Sequence, residues 1–412
     1  MMEIIRQEYL DKLLDWKDKN VIKVVTGMRR CGKSTLLEQY ANYLISHGVD
    51  ESRIIRINFE KMEYDELLDY RKLNEYITGQ LHQDEMTYIF LDEVQKVTEY
   101  EKAVDSLYVA DYTDLYITGS NAYMLSGDLA TYLSGRYVEI SMLPFSFKEY
   151  LVMTGMQGEE AFSSYLKTGG LPFVTGIIGE SEQIDTYLEG IYHTVLIKDI
   201  EQRQSRNETD PNKRKVTDIV LLKNIARYLA STSASLISVS NVSGYITSLG
   251  RKVSPNTISD YMDALSQAFI FYQVNRFDVD GKELLKGNCK WYIVDLGLRR
   301  YILPKSSYDL GCSIENVVYF ELRRRGYRVN VGKLDDVEVD FVARKNDEII
   351  YYQVTADMTS ADVFKREMRS LQMIRDNYEK VVLTLDRYSL GNYEGIRVVN
   401  VVDWLMKENS GC

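Results

Sequence analysis

The stretch TGMRRCGKSTLL contains the residues whose types and spacing make the clearest chemical prediction. Gly27, Gly32, Lys33 and Ser34 fit the pattern G-x-x-x-x-G-K-[ST], with an apolar strand before it and a helical pattern after it. The N–H groups of such a loop surround phosphate oxygens, Lys33 would reach the β- and γ-phosphates, and the Ser34 hydroxyl would bind Mg²⁺. A glycine-rich turn without a ligand is the alternative, which the order of strand, loop and helix disfavours. The residues predicted to bind ATP are Gly27, Arg29, Arg30, Cys31, Gly32, Lys33, Ser34 and Thr35.

An acidic pair lies downstream, where the apolar strand of MTYIFLDEVQ ends in Asp92 and Glu93. Asp92 is predicted to hold Mg²⁺ together with Ser34, and Glu93 to polarise the attacking water. A solvated acidic strand end is the alternative, and the phosphate loop upstream disfavours it. The next strand, in DLYITGSN, ends near Asn121, whose amide could sense the γ-phosphate or orient the water. The predicted cofactors are ATP and Mg²⁺.

Arg136, in LSGRYVEI, is a further catalytic candidate. An arginine that reaches a γ-phosphate stabilises the charge of the transition state, either within one chain or across a subunit interface. A structural or surface arginine is the alternative, and the bare sequence favours it. Arg29 and Arg30, inside the phosphate loop, are rival candidates for the same role.

The elements that position these residues follow from the apolar pattern. Strands around residues 21–25, 53–60, 88–91 and 114–121 alternate with helical segments. This alternation predicts a parallel, doubly wound α/β sheet that binds the nucleotide at the carboxyl ends of its strands.

The motif series TGMRRCGKSTLL, INFE, IFLDEVQ, ITGSNAYML, LSGRY, LPFSFKEYL and GGLPFV resembles a widespread group of bacterial and archaeal AAA-superfamily ATPases with a C-terminal domain of unknown function. The resemblance continues through YIVDLGLRR, SIENVVYFELRRRGY, VDFV and QVT, and so covers nearly the whole chain. It implies an α/β fold: a P-loop AAA-type parallel sheet core, a helical and winged-helix region, and a restriction-endonuclease-like α/β domain. It also implies a functional role for Arg136, but it does not supply a biological role.

Four domains are predicted along the chain: 1–151, a P-loop AAA-type ATPase core; 152–215, a helical lid-like segment and linker; 216–298, a winged-helix-like domain; and 299–412, a restriction-endonuclease-like domain that is catalytically degenerate. In the winged-helix-like domain, the third helix should begin after Ser254, with Pro255 at its first position. That helix carries no lysine or arginine before Ala268 but contains two aspartates. Because phosphate contacts need cations, protein packing is favoured over DNA reading for this helix.

The C-terminal pattern of helix, three strands, helix and strand suits a metal-dependent nuclease core. Glu315 and Asp340 are the candidate vestigial metal ligands, since carboxylates hold Mg²⁺ in such sites. Gln353 is a poorer ligand than glutamate, and Thr355 stands where a lysine is expected. Lys345 and Lys365 are displaced alternatives, and neither lies at the expected spacing. The basic run RRRGYR could contact phosphate, although such runs are more often solvated helix ends.

Length and composition indicate a multidomain protein that has no overall positive charge for binding nucleic acid. A chain of 412 residues is too long for one domain, and the net charge is −11. The four cysteines show no paired metal spacing, and the three histidines are scattered. No signal peptide or membrane-spanning run is evident, so a cytoplasmic location is predicted.

The function predicted from these features is that of an Mg²⁺-dependent ATPase that couples its nucleotide state to its C-terminal winged-helix and nuclease-like domains. An ATP-regulated DNA nuclease is one alternative, and an interaction scaffold stabilised by nucleotide is the other. DNA, a protein partner and further copies of the chain are the candidate partners, and no membrane is expected.

Overall fold

The computed structural model describes residues 4–119, 133, 135–194, 217–303 and 309–407. The chain divides into two compact units. The N-terminal unit comprises Met1–Pro144 with Gln267–Phe269, and the C-terminal unit comprises Phe145–Ser266 with Ile270–Cys412.

A five-stranded sheet forms the centre of the N-terminal unit. Its strands are β1 (Ile22–Gly27), β2 (Ile54–Asn58), β3 (Thr87–Asp92), β4 (Thr113–Gly119) and β5 (Tyr137–Met142). They lie in the order β2-β3-β4-β1-β5, and every neighbouring pair is parallel. β1 and β3 are buried at every residue, as strands covered on both faces must be. The predicted parallel sheet is thus confirmed, and its order brings the carboxyl ends of β1, β3 and β4 side by side.

Helices cover both faces of this sheet. They are α1 (Gln7–Asp15), α2 (Lys33–Ser46), α3 (Tyr70–Thr78) and α4 (Tyr100–Val109), with short 3-10 turns at Glu51–Arg53, Met62–Leu67 and Val94–Lys96. One apolar core joins the sheet to α1 and α2, and the other joins it to α3 and α4. Alternate residues of each strand point to opposite cores, as the two-residue period of a strand requires.

The C-terminal unit begins with helices. They are α5 (Phe147–Thr154), α6 (Gly158–Thr168), α7 (Pro172–Gly176), α8 (Ser181–His193), α9 (Ile219–Ser231), α10 (Val239–Ser248), α11 (Pro255–Gln267) and α12 (Leu296–Ile302). Several starts are fixed by side-chain caps: Ser146 and Glu149 form a capping box on α5, and Asp218 accepts the Leu221 N–H on α9.

A mixed eight-stranded sheet completes this unit. Its strands are β6 (Phe271–Asp278), β7 (Glu283–Ile293), β8 (Arg328–Leu334), β9 (Val337–Lys345), β10 (Glu348–Thr355), β11 (Glu379–Thr384), β12 (Gly391–Tyr393) and β13 (Ile396–Asn400). The order is β12-β13-β11-β10-β9-β8-β6-β7. The remaining helices are α13 (Leu310–Arg324), α14 (Ala361–Gln372) and α15 (Val401–Met406). No helix among the described residues is both long and apolar enough to cross a bilayer.

The β6–β7 hairpin pairs both with the helical region and with the rest of the C-terminal sheet. β7 pairs with the segment before α10, where Ile237 and Cys289 form an antiparallel bridge. β6 also pairs in parallel with β8, from Arg276 to Asp278. The hairpin therefore extends the C-terminal sheet as well as bordering the helices.

Candidate nucleotide-binding site

The loop after β1 has a backbone shape that depends on glycine. Gly27 has φ +145° and Gly32 has φ +102°, values that residues with a Cβ rarely adopt. A Cβ added at Gly27 would also overlap the carbonyl oxygen of Met142. Gly32 lies directly before the first residue of α2, so the loop leads into a helix N-terminus, where free N–H groups favour an anion.

Lys33 is buried in this loop. Its Nζ donates hydrogen bonds to the carbonyl oxygens of Gly27 and Met28, at 3.1 and 3.3 Å. Glu93 Oε1 lies 4.0 Å from the same Nζ. The ammonium thus faces the loop and the acidic end of β3 together, where it can contact a phosphate chain.

Asp92 lies at the end of β3 in a network of polar side chains. Its Oδ1 accepts from Thr118 Oγ1 at 2.5 Å, and its Oδ2 accepts from Asn58 Nδ2 at 2.8 Å. The Ser34 hydroxyl also hydrogen-bonds this carboxyl. Burial raises the pKa of Asp92, while the hydrogen bonds from Thr118 and Ser34 lower it. A carboxylate beside a serine hydroxyl is a donor set that fits Mg²⁺.

Glu93 follows Asp92 in a left-handed backbone conformation, with φ +55°. Its N–H donates to Thr118 Oγ1 at 2.9 Å, which helps to hold this uncommon geometry. Gln95 Nε2 donates to Glu93 Oε2. The Thr118 hydroxyl therefore holds both acidic residues, because it bonds the carboxyl group of Asp92 and the backbone N–H of Glu93. Asn121 lies outside the described residues.

Arg6 supports the loop from outside the motif. Its buried guanidinium donates to the carbonyl oxygens of Cys31 and Leu143, at 3.2 and 2.8 Å. Cys31 Sγ lies 3.7 Å from Met142 O, and burial raises the pKa of its thiol. The Cys31 side chain thus faces the protein core, so only its backbone can contact a nucleotide.

The other residues predicted for this site have different surroundings from Lys33. Arg29 pairs with Glu60 at 3.0 Å, and Arg30 is exposed with φ +67°. Thr35 is also exposed, on the first turn of α2. Arg136 directly precedes β5, and its carbonyl accepts the N–H of Ile22 at the start of β1.

Because β1 and β5 are parallel, Arg136 lies at the amino end of the sheet, whereas the phosphate loop lies at the carboxyl end. Its guanidinium pairs with Asp105. The structure thus does not bring Arg136 to the nucleotide-binding loop of its own chain.

A second polar cluster lies in the C-terminal unit. Glu315 on α13 and Asp340 on β9, the two candidate vestigial ligands, are brought together by Lys290, which sequence analysis missed. Lys290 Nζ lies 2.8 Å from Glu315 Oε1, 3.2 Å from Asp340 Oδ1 and 2.7 Å from Glu338 Oε1. Lys290 lies on β7, two strands before β9 along the chain, and no motif surrounds it.

Electrostatics within this cluster favour a charged lysine. Burial would lower the pKa of Lys290, but the attraction of Glu315, Asp340 and Glu338 outweighs it and raises that pKa. Burial raises the pKa of Glu315, although Lys290 opposes the shift.

Neither Lys345 nor Lys365, the two displaced lysines predicted from the sequence, occupies the position that Lys290 has in this cluster. Lys345 Nζ donates to Arg325 O at 2.9 Å, and Lys365 is exposed on α14. Gln353 Oε1 accepts the Asp340 N–H at 3.3 Å, and Thr355 Oγ1 donates to Asp357 O at 3.1 Å. These two residues of the QVT motif therefore bond to the protein itself.

Three of the four arginines of RRRGYR contact their own unit. Arg325 lies over the Trp404 ring, 4.1 Å from its centroid, and donates to Trp404 O. Arg324 is buried and donates to Phe145 O at 3.4 Å. Arg323 lies 5.7 Å from the centroid of the Tyr272 ring. Arg324 and Arg325 are thus engaged within the unit, whereas Arg323 and Arg328 are exposed.

Comparison with known proteins defines the class. Residues 19–151 match the family described as an AAA domain, and residues 159–309 match a domain of unknown function (DUF8612). An uncharacterized protein of Haemophilus influenzae is 40% identical over 410 residues, which cover 98% of this chain and 99% of that protein. The uncharacterized protein MJ1544 of Methanocaldococcus jannaschii is 30% identical over 93% of this chain and 85% of its own. The chain belongs to the family of these proteins.

Solved structures show a more distant likeness. The Orc1 protein of Aeropyrum pernix, solved in complex with DNA, has a TM-score of 0.33 and 12% identity, over 73% of this chain and 92% of that chain. DnaA of Aquifex aeolicus, solved with AMPPCP, has a TM-score of 0.30 and 13% identity, over 63% and 86% of the two chains. Likeness at this level carries no inference about ligands or partners.

Proposed function

We propose that this protein is an Mg²⁺-dependent ATPase that couples its nucleotide state to the C-terminal unit. One observation carries the proposal: Lys33, Ser34 and the Asp92–Glu93 pair converge at the carboxyl ends of neighbouring parallel strands. The AAA-domain match over residues 19–151 supports the same activity.

Each of these residues has a distinct task in the proposed reaction. The loop N–H groups and Lys33 would bind the phosphates, and Ser34 and Asp92 would hold the Mg²⁺ that ATP brings. Glu93 would orient and polarise the attacking water. Asn58 and Thr118 position the Asp92 carboxyl, so that little rearrangement is needed when the metal binds.

The C-terminal unit supplies the proposed output. Helices α9 to α11 with the β6–β7 hairpin support a winged-helix arrangement, and α13 with β8 to β11 supports a restriction-endonuclease-like order of elements. DNA, a protein partner or another copy of the chain would respond to the nucleotide. Arg136, remote from its own loop, would act at the nucleotide of another copy if it acts in hydrolysis.

Phosphate release from ATP in the presence of Mg²⁺ tests the activity. The wild-type chain should release phosphate, and Lys33→Ala should neither bind nor hydrolyse ATP because the phosphates lose their principal cation. Glu93→Gln should bind ATP normally but turn over at least about a hundredfold more slowly, the usual scale of general-base loss. Normal turnover in Glu93→Gln would remove Glu93 from the mechanism, and turnover in Lys33→Ala would reject this site altogether.

A further inference from the structure

Lys290 is enclosed by three acidic side chains from two elements of the C-terminal unit. Its side chain is 3% exposed and contacts Glu315 on α13 and both Glu338 and Asp340 on β9. Lys290 itself lies on β7, and two strands, β8 and β6, separate β7 from β9 in the sheet. The contact is therefore long-range, and it joins the hairpin to the αβ core.

Lys290 Nζ lies within 3.2 Å of one carboxyl oxygen from each of three residues. It donates hydrogen bonds to Glu315 Oε1 and Asp340 Oδ1 and forms an ion pair with Glu338 Oε1. Two further donors contact these carboxyl groups. Tyr292 OH donates at 2.6 Å to Glu315 Oε1, the oxygen that Lys290 also contacts, and the Val354 N–H donates to Asp340 Oδ2 at 2.9 Å.

The three oxygens lie 2.7 to 3.2 Å from Nζ, so the ammonium group contacts all of them directly and fills the space between them. Among the described residues, no group of three acidic, histidine or cysteine side chains is arranged to hold a metal ion.

We propose that the Lys290 ammonium is the resident cation of this cluster and occupies the place that a divalent ion holds in metal-dependent phosphodiesterases. The cluster is then complete without metal, and its task is to fasten the β6–β7 hairpin to α13 and β9. This proposal concerns the C-terminal unit alone and is independent of the ATPase activity.

Binding of Mn²⁺ to the full-length chain without nucleotide tests the proposal, with Asp92→Asn as the background so that the carboxylate proposed to hold metal beside the phosphate loop is absent. The readouts are calorimetric titration with Mn²⁺ and the shift of the unfolding midpoint. The background protein should show no Mn²⁺ binding that Asp340→Asn removes. Adding Lys290→Ala should create a Mn²⁺ site and a raised midpoint, and adding Asp340→Asn to that variant should abolish both.

Two results would overturn the proposal. One is Mn²⁺ binding with Lys290 in place that Asp340→Asn abolishes, since Lys290 would then accompany a metal instead of replacing it. The other is a folded Lys290→Ala variant that gains no Mn²⁺ site, because the space would then not be one for a cation. If Lys290→Ala does not fold, the background protein and its Asp340→Asn variant decide the question by themselves.

Discussion

At the residue scale, Thr118 is the side chain that unites the acidic pair. It donates to Asp92 Oδ1 and accepts the Glu93 N–H. Thr118→Val keeps the shape but removes both bonds, so we expect ATP turnover to fall about tenfold to a hundredfold, the usual effect of losing a partner of a metal ligand. ATP binding without Mg²⁺ should be unchanged. Steady-state phosphate release over a Mg²⁺ titration measures the effect.

Thr113→Val is the matched control for this prediction. Thr113 lies on the same strand, but its hydroxyl donates to Leu107 O and Ala110 O at the amino end. Turnover should therefore be near that of the wild type in this variant. Equal loss in the two valine variants would show a general effect on the sheet rather than a role at Asp92.

Sequence reasoning found the residues of the phosphate loop and the acidic pair, and it missed the side chains that hold Asp92 in place. Lys33, Ser34, Asp92 and Glu93 were predicted from their order along the chain, and the structure brings them together. Asn58 lies in the INFE motif, but the motif alone assigned it no role. Its contact with Asp92 exists because β2 lies beside β3, a sheet order that local patterns do not encode.

At the element scale, the ends of β1 and β5 approach so closely that only glycine fits. Gly27 pairs with Met142, and a Cβ there would overlap the Met142 carbonyl oxygen. Gly27→Ala should therefore separate the two strand ends, lose ATP binding and lower the unfolding midpoint. Isothermal titration with ATP and thermal unfolding measure the two effects.

Gly244→Ala is the control, since a Cβ at Gly244 meets nothing within 4 Å and the residue lies inside α10. It should stabilise that helix by up to about 1 kcal/mol. Undiminished ATP binding by Gly27→Ala would contradict the tight approach of the two strands.

The opposite end of the same sheet contains a buried ion pair. The Lys23 and Asp114 side chains are 0% and 1% exposed, and Asp114 Oδ2 also accepts from Tyr116 OH at 2.8 Å. Burial raises the pKa of Asp114 and lowers that of Lys23. Asp114→Asn leaves Lys23 without a counter-charge, so we expect a loss of about 3–5 kcal/mol in the free energy of unfolding, measured with urea.

Two further variants distinguish the effect of losing an ion pair from the effect of leaving a buried charge unpaired. Asp105→Asn breaks the Arg136 pair, whose side chains are 43% and 42% exposed, and should cost less than about 1 kcal/mol. The double variant Lys23→Met with Asp114→Leu should be more stable than Asp114→Asn, because no buried charge remains unpaired. A double variant as unstable as the single one would contradict this account.

At the scale of the whole molecule, the parallel sheet followed by helices and strands was predictable, because the apolar periods and glycine punctuation are local signals. The sharing of the β6–β7 hairpin between the helices and the larger sheet was not. The parallel pairing of β6 with β8 joins residues about fifty positions apart, Arg276 with Val331, and no local pattern reports such a pairing. Lys290 was missed for the same reason, since its partners lie on α13 and β9.

The distribution of cations over the described residues predicts weak coupling to DNA. The net charge is −11, and α11 contains two aspartates and no lysine or arginine. Arg251, which precedes α11, pairs with Asp218, and Arg324 and Arg325 of RRRGYR contact their own unit. Phosphate contacts supply most non-specific affinity for DNA, so duplex DNA should change ATP turnover by less than about twofold at physiological salt.

Phosphate release measured with and without duplex DNA, at two salt concentrations, tests this expectation, with Lys33→Ala as the blank. Turnover indifferent to DNA would favour a protein partner or another copy of the chain as the receiver of the nucleotide signal. Stimulation that weakens steeply as salt rises would contradict the expectation, because it would report phosphate contacts made by cations. Stimulation that is insensitive to salt would also contradict it, and would point to recognition by stacking or shape. Either kind of stimulation would place DNA among the partners of the C-terminal unit.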